Sequence, residues 1–547
     1  MTRDIHLRYV EEEYDEDGVL SKMRIRYPDN FNFGYDIVDD IGTNDPNRRA
    51  LVWCNDKGDK RTFTFRDIMV YSNKAANYLM SLGIKKGDKV IVALKLDYQY
   101  WYVSVALHKI GAVLIPVTSM LTTHDAVYRA EHSSAAAVIC TSYGKVTEAF
   151  AGIEEKCLNV KIKAMAGGKR EGWLDLDAGI EASSDKLKRI PTKATDQFMI
   201  YFSSGTTGYP KMVLHDYTYP LGHILTAKHW QNVVPDGIHF TIAETGWAKA
   251  SWGKIYGQWI MEAATFVYDY AKFTPADVLT KIQEYKITTL CCPPTMFRFF
   301  ILEGLEKFNL RSLKHATIAG EALNPDVFNN WYKATGLKLM EGFGQTETTP
   351  VVCNTRNMEP RPGSMGKPAP HYEVDIVTPE GRRCKYGETG EIIVRIDDNP
   401  PGLFREYYLD DEKTRSTIYG GYHHTGDVAW MDEDGYYWYV GRNDDIIKSS
   451  GYRIGPFEIE SVILLHPAVK ECAVTGVPDE IRGQLVKATI VLKDGYEPSD
   501  ELMKDIQNFV KKETAPYKYP RAVEFVKELP KTVNGKIRRA EIRKGSN

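Results

Sequence analysis

No stretch of the 547 residues approaches eighteen uninterrupted apolar positions, so a membrane-spanning helix is not expected. Residues 1–13 carry charge from the start and lack the apolar centre of a secretory signal. The eight cysteines, Cys54, Cys140, Cys157, Cys291, Cys292, Cys353, Cys384 and Cys472, include no C-x-x-C pair and no Cys/His cluster at zinc spacing. That usage argues against a disulfide framework and fits a reduced compartment. An excess of one sign of charge is also missing: 70 Lys+Arg face 73 Asp+Glu, a formal net charge of −3, which disfavours nucleic acid as the main partner. Internal repeats and low-complexity tracts are absent as well. The expectation is a cytoplasmic protein with neither membrane nor nucleic acid among its partners. Its oligomeric state is left open, a homodimer being one candidate.

What is present points to several cores. Hydrophobic residues make up 43% of the chain and aromatics 12%, and the length exceeds what one core can organise. Val90–Leu94 reads as a strand, Tyr98–Lys109 as a helix and Ala112–Pro116 as the next strand. Strand patterns recur at Ala136–Cys140, Phe198–Phe202, Thr288–Cys292 and Ala316–Ala319. Alternation of this kind predicts α/β architecture rich in parallel strands. From about Gly363 the texture changes to short strands with turn signals (Tyr372–Val377, Gly390–Ile396, Gly435–Val440), which predicts a small β-barrel-like subdomain over about 363–441. Asp432-Glu433-Asp434-Gly435 reads as its hairpin turn. The polar run Arg442-Asn443-Asp444-Asp445 then marks a boundary. The expected organisation is an N-terminal domain over 1–441, a hinge at 442–446 and a small mobile α+β domain over 447–547.

The most informative segment is Tyr201-Phe-Ser-Ser-Gly-Thr-Thr-Gly-Tyr-Pro-Lys211. Ser203, Ser204, Thr206 and Thr207 offer hydroxyls, Gly205 and Gly208 let backbone N–H groups approach an anion, and Lys211 adds a cation. The loop is suited to polyphosphate, yet Pro210 and Met212 stand where a Walker A loop needs glycine and Ser/Thr, which disfavours a mononucleotide kinase. A plain surface loop is the competing reading. A second constellation is Gly342-Phe343-Gly344-Gln345-Thr346-Glu347, where Thr346 can meet a phosphate oxygen and Glu347 can hold Mg²⁺. Gly320-Glu321-Ala322 follows a strand and Thr425-Gly426-Asp427 offers a carboxylate for ribose hydroxyls. The remaining two run from Gly441 to Ile454 and from Pro530 to Arg539; in the latter, Asn534-Gly535 is a tight-turn pair that projects Lys536.

These six segments, in this order, resemble the signature of the adenylate-forming enzymes: acyl-CoA synthetases, adenylation domains and luciferases. The stretches 449–456, 515–521 and 530–539 are most similar to medium-chain acyl-CoA synthetases. The resemblance implies a ligase that joins a carboxylic acid to ATP through an acyl-adenylate, releases pyrophosphate, and passes the acyl group to coenzyme A. It implies ATP, Mg²⁺ and CoA as cofactors and co-substrates. Lys536 would meet the carboxylate and α-phosphate in the first step, and Ser203, Ser204, Gly205, Thr206, Thr207, Gly208 and Lys211 would cradle the distal phosphates. Thr206 and Glu347 would hold Mg²⁺, and Thr346 would touch the α-phosphate. Asp427 and Arg442 would take the ribose, while Gly320, Glu321 and Ala322 with Phe343, Gly344 and Gln345 would frame adenine and the nucleotide. In the second step the C-terminal domain would turn about Asp444. Ser450, Gly451 and Tyr452 would then line the pantetheine path, Arg453 would approach the reacting centre, and Arg482, Tyr519 and Arg521 would hold the CoA nucleotide. The last role suits a stretch from Lys511 to Lys544 with eleven Lys/Arg against four Asp/Glu, for which a solvated surface is the plainer alternative.

The same resemblance puts Trp247 and the helix after it beside the acyl group, with Lys249, Trp252 and Gly344 lining the pocket. Acetate-activating relatives carry tryptophan at the place of Gly344, so glycine leaves room for a longer chain, whereas the bulky Trp252 shortens it again. Trp252 and Trp259, seven apart, are expected on one helical face, with a core role as the alternative. The expected substrate is a short-to-medium chain acid, with branched acids included. Transfer to a carrier protein and a non-catalytic nucleotide-binding regulator are the rival readings. His423-His424 lack a third ligand at suitable spacing and read as strand-edge histidines, and Cys291-Cys292 read as small apolar filling.

Overall fold

The structure, a computed structural model, describes residues 4–203, 210–321, 323–397, 399–449, 452–515, 518–531 and 537–544. Their contacts divide the chain into two compact units. The first comprises Met1–Pro362, Gly366–Glu373 and Arg395–Tyr422, and the second Gly363–Met365, Val374–Val394 and His423–Asn547.

Two sheets organise the first unit. One runs, strand by strand, Glu406–Tyr407, Lys211–Asp216, Gln197–Ser203, Val113–Pro116, Lys89–Ala93, Ala137–Thr141, Ile162–Ala166 and Leu174–Asp175. Its inner strands are parallel, while Gln197–Ser203 and Lys211–Asp216 form an antiparallel hairpin. The other runs Leu339–Phe343, His315–Ile318, Thr289–Cys292, Ile238–Thr241, Ala264–Asp269 and Arg49–Asn55, all parallel. Continuous β-branched and apolar runs such as Val90-Ile91-Val92 are buried on both faces, as parallel strands covered by helices require. The helix Gln99–Ile110 is buried along all its length, and Gly111 ends it with φ 85°, a left-handed stop that favours glycine. Thr64 with Asp67 and Thr122 with Asp125 form capping boxes that fix where two further helices begin. The expected parallel-rich α/β class is therefore found, and the predicted strands and helix lie within one or two residues of those observed.

In the second unit, Val374–Val377, Gly390–Arg395, Tyr422–Met431 and Tyr437–Arg442 form the antiparallel sheet expected from the turn-rich texture. Gly435, with φ 82° and its N–H on the Asp432 carbonyl, makes the predicted hairpin turn. His423 and His424 lie on an inner strand rather than at an edge. Burial pushes His423 down to about 3, and His424 meets the Glu391 carboxylate at 3.1 Å. The rest of the unit is α+β: Ile447–Ser449, Tyr452–Ile454, Val469–Asp479, Gly483–Leu492 and Ala522–Phe525 share a sheet, against which the helices Pro456–Ile463 and Asp500–Glu513 pack Ile459, Ile463, Ile506 and Val510.

Candidate active site

The segment read as a phosphate loop connects two antiparallel strands that end on the pair Ser203 and Lys211. Ser204, Gly205, Thr206, Thr207 and Gly208 lie outside the described residues. The loop's far stem is held by Tyr128, whose hydroxyl donates to the Pro210 carbonyl at 3.1 Å. The ammonium of Lys211 sits 5.5 Å above the ring of Tyr407, and the Tyr407 hydroxyl donates to Oε1 of Glu347 at 2.8 Å. A second tie fixes Glu347 through its backbone, since the Phe404 N–H donates to its carbonyl at 2.7 Å. Lys211 and Glu347, predicted from separate motifs, thus meet on one tyrosine that the motifs did not include.

The Gly342–Glu347 segment leaves its strand at Phe343. A Cβ on Gly342 would fall 2.6 Å from Cε2 of Trp230, and one on Gly344 would fall 2.5 Å from the Thr349 carbonyl oxygen and 2.6 Å from Cη2 of Trp252, so close approach of an indole, joined at Gly344 by backbone, requires both glycines. Gln345 N–H donates to Thr348 Oγ1 at 3.0 Å. His215 donates through Nε2 to the Thr346 carbonyl at 2.8 Å. Burial pushes that imidazole down to about 3, so it is a neutral donor that fixes the threonine's backbone.

Gly320 ends its strand with φ 99°, and a side chain there would meet open space. Glu321 accepts from Thr295 Oγ1 at 2.8 Å, and Ala322 lies outside the described residues. Lys249 donates to the Ala319 carbonyl at 2.7 Å, which ties the helix after Trp247 to this strand end. Trp247 itself occupies the N-cap of that helix. The turn before it is pressed against Thr118, where a Cβ on Gly246 would come within 2.2 Å of backbone nitrogen.

The expectation that Trp252 and Trp259 share a helical face is not met. They sit on separate short helices, Ala248–Gly253 and Tyr256–Ile260. Gly253 lies so close to Thr241 that a Cβ would be 1.8 Å from its hydroxyl, and the chain breaks its helix just after that contact. Trp259 is fully buried, stacks on Phe33 and donates to the Ala50 carbonyl at 2.9 Å, so it belongs to the core. Trp252 faces Gly344.

In the second unit Asp427 and Arg442 are register partners across a hairpin. The Asp427 carboxylate is buried, accepts from the Tyr439 hydroxyl at 3.0 Å and lies 3.5 Å from the Arg442 guanidinium. Arg442 also lies 3.7 Å from Asp444. Ser449 pairs with both Tyr452 and Gly483, which places the Tyr452 hairpin beside Arg482. Arg521 donates to the Tyr519 hydroxyl at 2.8 Å and covers its ring at 4.7 Å. Ser450, Gly451 and Lys536 lie outside the described residues, as does the side chain of Arg453.

The donor set of the first unit suits a magnesium nucleotide. Magnesium prefers carboxylate and phosphate oxygens and is held by few protein ligands; Glu347, with one oxygen engaged by Tyr407, would fit as a ligand of that kind. Tyr407, His215 and Trp230 were missed because each acts through tertiary contact rather than through a local motif.

A strand-fed loop rich in glycine and hydroxyls, a neighbouring carboxylate and a lysine at the loop stem define a nucleotide-dependent α/β enzyme. Residues 38–408 match the AMP-binding enzymes and residues 458–536 match the AMP-binding enzyme C-terminal domain, so the chain belongs to the AMP-binding enzyme family. It is 39% identical to human acyl-coenzyme A synthetase ACSM3, mitochondrial, over 539 residues, covering 96% of this chain and 92% of that one. It is 40% identical to human acyl-coenzyme A synthetase ACSM5, mitochondrial, over 536 residues, with the same coverage. Among solved structures, the anthranilate CoA ligase AuaEII in complex with anthranoyl-AMP matches with TM-score 0.86 and 30% identity over 95% of this chain and 98% of that one. The Brucella canis acyl-CoA synthetase matches with TM-score 0.72 and 32% identity over 94% of each. The resemblance read from the six segments is borne out.

Proposed function

We propose that this protein is an ATP- and Mg²⁺-dependent, AMP-forming acyl-CoA synthetase that activates a short-to-medium chain carboxylic acid, branched acids included, and transfers the acyl group to coenzyme A. The observation that carries the reading is the convergence of Lys211 and Glu347 on Tyr407, inside a chain that is 39% identical to an acyl-coenzyme A synthetase over nearly its whole length. Attack of the acid on the α-phosphate gathers negative charge on phosphate oxygens, and fixed cations and donors lower the energy of that state. Lys211 and the loop hydroxyls hold the distal phosphates, Glu347 and Thr206 hold magnesium, Thr346 meets the α-phosphate, and Asp427 with Arg442 take the ribose. Lys536 serves this step alone. For thioester formation the C-terminal part, from about residue 447, turns about Asp444 and brings the Tyr452 hairpin and Arg453 to the reacting centre.

Trp252 supports the short-to-medium assignment, because its indole fills the space that Gly344 vacates. Arg482 and Arg521 support free CoA over a carrier protein, since CoA brings additional phosphates to neutralise. No helix among the described residues is long and apolar enough to cross a membrane, and no disulfide forms among the described residues; a cytoplasmic location is proposed on that cysteine usage, although the named relatives are mitochondrial. The test is chromatographic: with ATP, Mg²⁺, CoA and C2 to C12 acids, AMP and acyl-CoA should accumulate in equal amounts with one preferred chain length. ADP in place of AMP, or AMP without thioester, would refute the assignment.

A further inference from the structure

We infer that Tyr407 is a positioning residue that sets how Glu347 presents its carboxylate to magnesium and, through its ring, where Lys211 stands at the stem of the phosphate loop. The inference rests on the ligase reading above and extends it to a residue outside the six motifs. Tyr407 is well placed for this. Its strand Glu406–Tyr407 pairs with Lys211–Asp216, with Val213 opposite Tyr407. Its N–H donates to Thr414 Oγ1 at 3.0 Å, Phe404 packs on its ring at 5.0 Å, and it is 3% exposed. A hydroxyl fixed in this way takes one lone pair of Oε1 of Glu347 at 2.8 Å, which would favour presentation of the other oxygen to a metal. A carboxylate with one oxygen so engaged would be biased toward single-oxygen ligation, which would suit Mg²⁺, an ion that takes few protein ligands. Hydrogen bonds behind a metal ligand orient it and tune its affinity. The ring face of the same tyrosine, 5.5 Å from the Lys211 ammonium, attracts that cation independently of the hydroxyl.

The two contacts separate chemically. Tyr407→Phe keeps the ring and removes the hydroxyl, whereas Tyr407→Leu removes both. Binding is measured on the full chain with Mn²⁺ as probe, by equilibrium dialysis with ATP on both sides so that metal held by the protein is counted above that held by ATP in solution, alongside calorimetry of metal-free pyrophosphate and a melting curve. Tyr407→Phe should weaken Mn²⁺ binding by about tenfold or more, leaving pyrophosphate affinity unchanged and lowering the melting temperature no more than the loss of one buried hydrogen bond does. Tyr407→Leu should weaken both ligands. Lys211→Met should weaken pyrophosphate, and Mn²⁺ only as far as ATP binding falls with it. In Glu347→Gln the further change Tyr407→Phe should add nothing, because the two residues act as one unit. Unchanged Mn²⁺ affinity in Tyr407→Phe, or a parallel loss of both ligands together with the melting temperature, would overturn the inference. If the unmodified chain bound no Mn²⁺ with ATP, the ligase reading would fall and this inference with it.

Discussion

The indole of Trp252 lies against the Cα of Gly344, close enough that a single Cβ there would meet Cη2 at 2.6 Å. Gly344 and Trp252 therefore form one packing unit, and Trp230 extends it, edge-on to Trp252 at 5.9 Å.

Trp252→Ala should shift the optimum of kcat/KM toward longer acids. Each added methylene that enters the vacated space should gain roughly fourfold, from about 0.8 kcal/mol per buried CH₂. The change should also cost about 3–5 kcal/mol of stability. An unaltered chain-length profile across C2 to C12 acids would show that Trp252 serves only the core.

Glu341 gives a pH signature. It is buried, accepts from the Leu323 N–H, and has Oε2 without a partner among the described residues. Burial raises its carboxyl from 4.5 to about 8. The folded chain thus keeps a proton that the unfolded chain releases near 4.5, so this group makes stability fall as pH rises between those values and adds no further slope above about 8. Glu341→Gln removes that dependence. Relative to the unmodified chain, the variant should gain roughly 2–4 kcal/mol between pH 5 and pH 8 in urea unfolding. Parallel pH profiles would contradict this.

Much of the first unit was legible in the sequence because β-branched runs and helical periodicity are local signals: Val90-Ile91-Val92 and Phe198–Phe202 lie on the strands they predict. The contact of Tyr407 with Glu347 spans sixty positions and carries no local pattern, since a tyrosine in a two-residue strand looks like any surface tyrosine. The division between Trp252 and Trp259 was illegible for a related reason. Spacing of seven fits one helix, and the close packing of Gly253 on Thr241 at the break is a tertiary contact. Lys249, expected to line the pocket, donates to the Ala319 carbonyl, a partner seventy positions away that no local pattern gives.

Lys536→Ala should separate the half-reactions. Adenylate formation, followed by ATP–pyrophosphate exchange, should fall about 10²-fold to 10³-fold, the scale for removing one charge-stabilising group. Thioester formation from supplied acyl-adenylate and CoA should stay near that of the unmodified chain. Equal loss of both would remove Lys536 from its assigned step.

Arg539 and Glu460 form a two-pronged pair in the second unit, at 2.8 and 2.7 Å, and Glu460 also accepts from the Val474 N–H. Arg539→Ala leaves a nearly buried carboxylate unpaired and should cost about 3–5 kcal/mol. A melting curve that matches the unmodified chain would show that the pair adds nothing.

The most direct test of the account is pyrophosphate release from ATP and Mg²⁺ with the preferred acid, followed with and without CoA. A burst of about one pyrophosphate per active site without CoA, and sustained turnover once CoA is added, is the predicted result. Sustained release that is indifferent to CoA, or no release with any acid despite tight binding of ATP, would contradict it.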